Sequence, residues 1–132
     1  MLGKFIAAIV SRITKGNYSE AQDLLTESYH TLLKEDAAKF TFIPKEELTV
    51  KLIEEHHFNN GHLEILAQLF NVEAQLKEAQ QNYPLSIEFY EKSLLLHEFL
   101  EKKSQTFSLQ RNTDIEHLKD KVLDLKKNGF AC

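Results

Sequence analysis

Apolar residues recur along this chain with the period of an α-helix, and turn-forming residues cut the pattern into six segments. The first spans about 2–14 and stops at Gly16-Asn17. The second, about 19–34, carries Ala21, Leu24, Leu25, Ser28, Tyr29 and Leu32 at i, i+3, i+4, i+7, i+8 and i+11, one continuous helical face. In the irregular stretch 35–43, Phe40, Phe42 and Ile43 are too apolar for a solvated linker and are expected to fold back over a helix pair. Pro44 opens a short third helix to about 56, since proline fits a helix's first turn and Glu46 and Glu47 suit its positive end.

Asn59-Asn60-Gly61 marks the next turn. The fourth helix, about 62–81, has Leu63, Leu66, Phe70 and Ala74 on one side and Ile65, Leu69, Val72 and Leu76 on the other, so it is expected to be sandwiched. The fifth begins at Pro84, where Ser86, Phe89, Tyr90, Ser93, Leu94 and His97 repeat the spacing of the second. A polar break over 102–113 leads to an amphipathic helix with Ile115, Leu118, Val122 and Leu125, closed by Asn128-Gly129 and suited to cap a stack. The pattern predicts an all-α protein of about six helices in stacked antiparallel hairpins, one domain over 1–132.

The first helix has no polar face from Phe5 to Val10. Phe5 and Ile9 are expected on the second helix, leaving Ile6 or Val10 to meet either the Phe40–Ile43 segment or a second copy of the chain. The internal cover is preferred, and with it a monomer, because Phe40, Phe42 and Ile43 otherwise lack a destination. Lys4 before this run suggests a secretory signal, but Arg12 interrupts it early and no small-residue cleavage site follows. No stretch approaches the ~20 apolar residues of a membrane span, so a cytoplasmic protein without membrane contact is expected.

One turn motif occurs twice, as Lys15-Gly16-Asn17-Tyr18-Ser19-Glu20-Ala21 and as Gln80-Gln81-Asn82-Tyr83-Pro84-Leu85-Ser86. Tyr83, Ser86, Tyr90 and Ser93, with Phe70 and Ala74 in the helix before, resemble the tetratricopeptide repeat, as do Tyr18, Ala21, Leu25 and Ser28 with Phe5 and Ile9. The opening Gly3-Lys4-Phe5-Ile6-Ala7-Ala8-Ile9 followed by Gly16-Asn17-Tyr18 is also similar to a family of small bacterial tetratricopeptide-like proteins without an assigned activity. The resemblance implies a fragment of a right-handed superhelix with a C-terminal capping helix. It does not imply a regular concave groove, because the two motifs are not a whole number of ~34-residue repeats apart.

Sixteen basic and twenty acidic residues give a net charge of −4 with neither sign gathered in a block, which disfavours nucleic acid as a partner. The lone Cys132 has no partner within the chain, is expected to be an inert thiol and agrees with a reducing compartment. Glu27-Ser28-Tyr29-His30 and Glu54-Glu55-His56-His57 are E-x-x-H elements, whose i, i+3 spacing sets a carboxylate and an imidazole on one helix face as di-iron bundles require. Glu27, His30, Glu54 and His57 are therefore candidate metal ligands, with His56 and His62 nearby. The competing expectation, and the preferred one, is no metal or other cofactor, with His56, His57 and His62 solvated at a turn or capping a helix C-terminus. His97 lies on an apolar face as a hydrogen-bonded residue at the edge of the core, and the tyrosines are expected in the core with hydroxyls at the surface. With only four glycines and no phosphate-loop or nucleophile-elbow motif, nothing else suggests catalysis. Three functions follow in order of preference: a non-enzymatic module binding a protein or peptide, a metal-dependent di-iron-type enzyme, and a self-associating structural protein.

Overall fold

The computed structural model describes residues 2–103 and 108–128, and among them the regular structure is entirely helical. Seven α-helices occur there: α1 (Leu2–Thr14), α2 (Tyr18–Leu33), α3 (Ala38–Thr41), α4 (Leu48–Glu54), α5 (Asn60–Ala79), α6 (Tyr83–Lys103) and α7 (Leu109–Lys127). Helices α1 and α2 pair, α5 packs on both of them and on α6, and α7 packs on α6. Buried side chains from all the long helices form one continuous core, in which α5 supplies Leu63, Leu66, Leu69, Phe70 and Leu76. The expectation of a sandwiched central helix holds.

Both hairpins close in the same way. At the first, Gly16 takes a φ of +79° and the Asn17 amide donates back to the Arg12 carbonyl at 2.8 Å. At the second, Gln81 takes a φ of +63° and the Asn82 amide donates to the Lys77 carbonyl at 2.8 Å. The left-handed position that glycine fills without steric cost is thus occupied by a residue with a Cβ in the second hairpin. Beyond each turn a small residue is buried, Ala21 in α2 and Ser86 in α6.

The serines at the α6 seam have a specific use. Ser86 Oγ donates to the Ala74 carbonyl at 2.8 Å and Ser93 Oγ to the Ala67 carbonyl at 2.7 Å. Small residues on both helices let the backbones approach, and the hydroxyls then tie α6 to α5. Ala21 is fully buried at the matching position. Ala21→Leu is expected to cost about 1 to 3 kcal/mol through overpacking, read from urea unfolding midpoints; an unchanged midpoint would show that the α1–α2 seam is open there.

Several boundaries differ from the sequence reading. Pro44 stays extended, with φ −60° and ψ 145°, and leads into a 3-10 turn over Lys45–Glu47 before α4, which ends at Glu54. The 35–43 stretch is not wholly irregular, since Ala38–Thr41 makes one helical turn. The polar break is shorter than 102–113, because α6 continues to Lys103 and Ser108 caps α7, its Oγ accepting from the Arg111 amide at 3.2 Å. Asn128 closes α7, while Gly129 and Cys132 lie outside the described residues.

The cover of α1 is also corrected. Leu2, Ile6, Ile9 and Ile13 form its inward stripe, and its second neighbour is α5 rather than the Phe40–Ile43 segment. Phe5 and Val10 stay partly exposed. Phe40 lies elsewhere, with its ring centroid 6.2 Å from Tyr29, 5.2 Å from His56 and 5.4 Å from Phe58. Ile43 is buried, but Phe42 is 82% exposed.

Candidate functional site

The E-x-x-H residues do not build a site. Glu27 and His30 are exposed on α2, and His30 faces Asp36 at 3.5 Å. Glu54 ends α4, whereas His57 lies beyond it with a left-handed φ of 56°, so this second pair does not share a helix face. Among the described residues no three His, Cys, Asp or Glu side chains converge as a metal site would require. His56 Nδ1 instead meets the Glu35 carboxylate at 2.9 Å. His62 caps a helix N-terminus rather than a C-terminus: its amide donates to Asn59 Oδ1 at 3.0 Å and its Nδ1 accepts from the Asn59 amide at 3.2 Å, a reciprocal box that starts α5.

His97 is buried on the apolar face of α6, as expected, and its Nδ1 has no hydrogen-bond partner among the described residues. Burial lowers its pKa, opposed by the carboxylates of Asp114 and Glu64 and aided by Arg111.

Charges that the sequence reading passed over occupy the interior between α2, α5 and α6. Tyr29, fully buried, donates its hydroxyl to Glu73 Oε1 at 3.3 Å, inward rather than to the surface. Lys77 Nζ lies 3.4 Å from Glu73 Oε2 and donates to Gln22 Oε1 at 3.0 Å. Burial raises the Glu73 pKa, and Lys77 and the Tyr29 hydroxyl only partly offset it. Lys92 is buried as well, donating to the Thr41 carbonyl at 3.1 Å with the rings of Phe89 and Phe70 at 5.3 and 6.0 Å. Desolvation lowers its pKa, against the pull of Glu88 and Glu46. Each charge falls on an apolar helical stripe, Glu73 three residues after Phe70 and Lys92 three after Phe89, which is the sequence signal that marks them.

Several depressions open on the surface of the described residues. A groove of about 580 Å³ runs between α1, α5, α6 and α7, lined by Ile13, Gln75, Glu78, Tyr83, His117 and Lys121 among others. Within it the Glu78 carboxylate accepts from Tyr90 Oη at 2.8 Å and from Lys121 Nζ at 2.9 Å, so its two oxygens are held from two helices, α6 and α7. A smaller pocket of about 270 Å³ is floored by Glu73 and Lys77 and rimmed by Phe42, Leu85, Glu88 and Phe89. A third, of about 600 Å³ beside Pro44 and Pro84, is crossed by Glu91, which pairs with Lys45 at 3.2 Å and Lys126 at 3.0 Å.

No described helix is long and apolar enough to cross a membrane. No protein-family profile matches the chain, and no curated protein or solved structure shows significant similarity to it.

Proposed function

We propose that this protein is a non-enzymatic interaction module of tetratricopeptide-like construction, which receives a segment of a partner protein in the groove between α1, α5, α6 and α7. The observation that carries the reading is the groove itself, open to solvent along helices whose packing is fixed from behind by the buried seam residues Ala21, Ser86 and Ser93. Helices held rigidly from one side present a pre-formed surface on the other, which lowers the ordering cost of binding. The groove combines an apolar end at Ile13 with the Glu78–Lys121 pair and His117, so it suits a mixed apolar and polar peptide, extended or helical. Its volume is comparable to that of small-molecule sites, but its wall offers an internally satisfied ion pair and no converging nucleophile and base.

The test is site-specific crosslinking in cells. A photoreactive residue at Gln75 or His117 is expected to capture the same partner, whereas one at Leu123, 64% exposed on α7 and not among the groove-lining residues, is expected to capture none. Lys121→Glu should abolish the Gln75 crosslink by setting two carboxylates together. Equal capture from Leu123, or an undiminished crosslink in the Lys121 variant, overturns the groove as the binding surface.

A further inference from the structure

The small pocket between α2, α3, α5 and α6 lies apart from the groove, and its chemistry is unlike it. Its rim carries Phe42, exposed yet held on an immobilised backbone: Phe40 before it is buried in an aromatic cluster, the Thr41 carbonyl is tied to Lys92, and Ile43 after it is buried. Phe42 is therefore presented, not merely left out. Leu85 continues the apolar rim, the buried Phe89 lines the wall beneath it, and Glu88 adds a carboxylate.

The floor is the Glu73 carboxylate, which uses little of its capacity. A carboxylate offers about four acceptor sites, whereas Glu73 receives one long hydrogen bond from Tyr29 at 3.3 Å and an ion pair with Lys77 at 3.4 Å. Lys77 is itself turned to Gln22. The charged groups lining the pocket are Glu73, Glu88 and Lys77, one negative charge in excess. Lys92 adds a buried cation close by that offsets this excess through space, but its donors go to the Thr41 carbonyl and the ring faces, so it fills no acceptor site of either pocket carboxylate. The pocket therefore offers an under-used carboxylate at Glu73 and an exposed one at Glu88 to a group able to donate several hydrogen bonds.

We infer that this pocket takes the side chain of an arginine from a partner protein, with the guanidinium between the Glu73 and Glu88 carboxylates and its planar face against Phe42 or Phe89. Guanidinium matches each feature: it is always charged, has five donors in a fixed fork, stacks on aromatic rings and is weakly hydrated for a cation. A pocket of about 270 Å³ admits one long side chain and little more. The neighbours of that arginine meet the exposed Phe42 and Leu85 on the rim, which favours a peptide with flanking apolar residues over free arginine. The site goes beyond the groove reading and stands without it.

The probe is acetyl-Leu-Arg-Leu-amide, titrated into the isotope-labelled full chain and followed by amide chemical shifts. Saturable shifts are expected at Gln22, Thr41, Lys77 and Leu85, with Gln75 and His117 in the groove unmoved. The citrulline counterpart, equal in shape but uncharged, should bind at least about tenfold more weakly, since its contacts lose charge assistance. Phe42→Ala and Glu88→Gln should each weaken binding several-fold, the first while leaving the melting temperature unchanged, because its side chain is exposed. Absence of saturation, or equal binding of the citrulline peptide, overturns the inference. Shifts confined to Gln75 and His117 overturn it too, and would support the groove instead. Free arginine binding as tightly as the tripeptide overturns the peptide assignment.

Discussion

Phe70→Ala is expected to destabilise the protein by about 3 to 5 kcal/mol, the usual cost of truncating a large aromatic residue in a closed core. Phe70 is fully buried on α5, between α2 and α6. Its ring centroid lies 6.5 Å from Tyr29 of α2 and 5.6 Å from Phe89 of α6, and it faces the ammonium of Lys92. Truncation opens a cavity where three helices meet, and each of them is held by other contacts that prevent collapse. The cavity would also border Lys92, whose desolvation already opposes its charge. Urea unfolding of the variant measures the loss, and Phe70→Leu, which keeps most of the volume, should lose much less. A loss below about 1 kcal/mol for the alanine variant would place Phe70 at a site that relaxes, and the α2–α5–α6 junction would then not be the centre of the core.

The sequence made that junction legible because the residues forming it obey one period. Phe70, Ala74, Ser86, Tyr90 and Ser93 were identified by spacing alone, and all are buried. Spacing marks the serines only as small residues at the seam, and the structure adds that their hydroxyls reach the Ala74 and Ala67 carbonyls. The segment between the hairpins was less legible. Its apolar character is plain, but the period of its short elements is too brief to indicate a direction, so the pattern points Phe40 toward α1 although it packs on Tyr29 and His56. Similarly, the helix-face argument for Glu54 and His57 required a helix through position 57, and α4 stops at Glu54. Pairings between distant residues, such as Lys92 with the Thr41 carbonyl, have no local pattern at all. What the sequence did contain, and what an apolar-stripe reading passes over, is the presence of Glu73 and Lys92 on stripes that should exclude charge.

Lys77→Met is expected to cost about 3 kcal/mol at neutral pH, near the lower end for breaking a buried ion pair by removing one partner. The lower end applies because Lys77 keeps 17% of its side-chain exposure, while Glu73 keeps 4%. The cost arises less from a lost attraction than from a carboxylate left in the core with only the Tyr29 hydroxyl. Its pH dependence identifies it. Burial raises the folded-state pKa of Glu73 above its ordinary 4.5, so between that value and the folded one the native protein binds more protons than the unfolded chain. Stability then falls as pH rises through this window, and is recovered in acid. Lys77 is the largest influence lowering that pKa, so its removal extends the window upward and makes the decline longer. The difference between wild type and variant should accordingly be larger at about pH 8 than at about pH 5 in urea unfolding. Glu73→Gln combined with Lys77→Met removes the orphaned charge and should restore most of the stability and flatten the pH dependence, a coupling that a double-mutant cycle reads directly. A Lys77→Met penalty of the same size at both pH values would mean that Glu73 does not carry it, and the buried pair would then contribute through packing of the lysine stem alone.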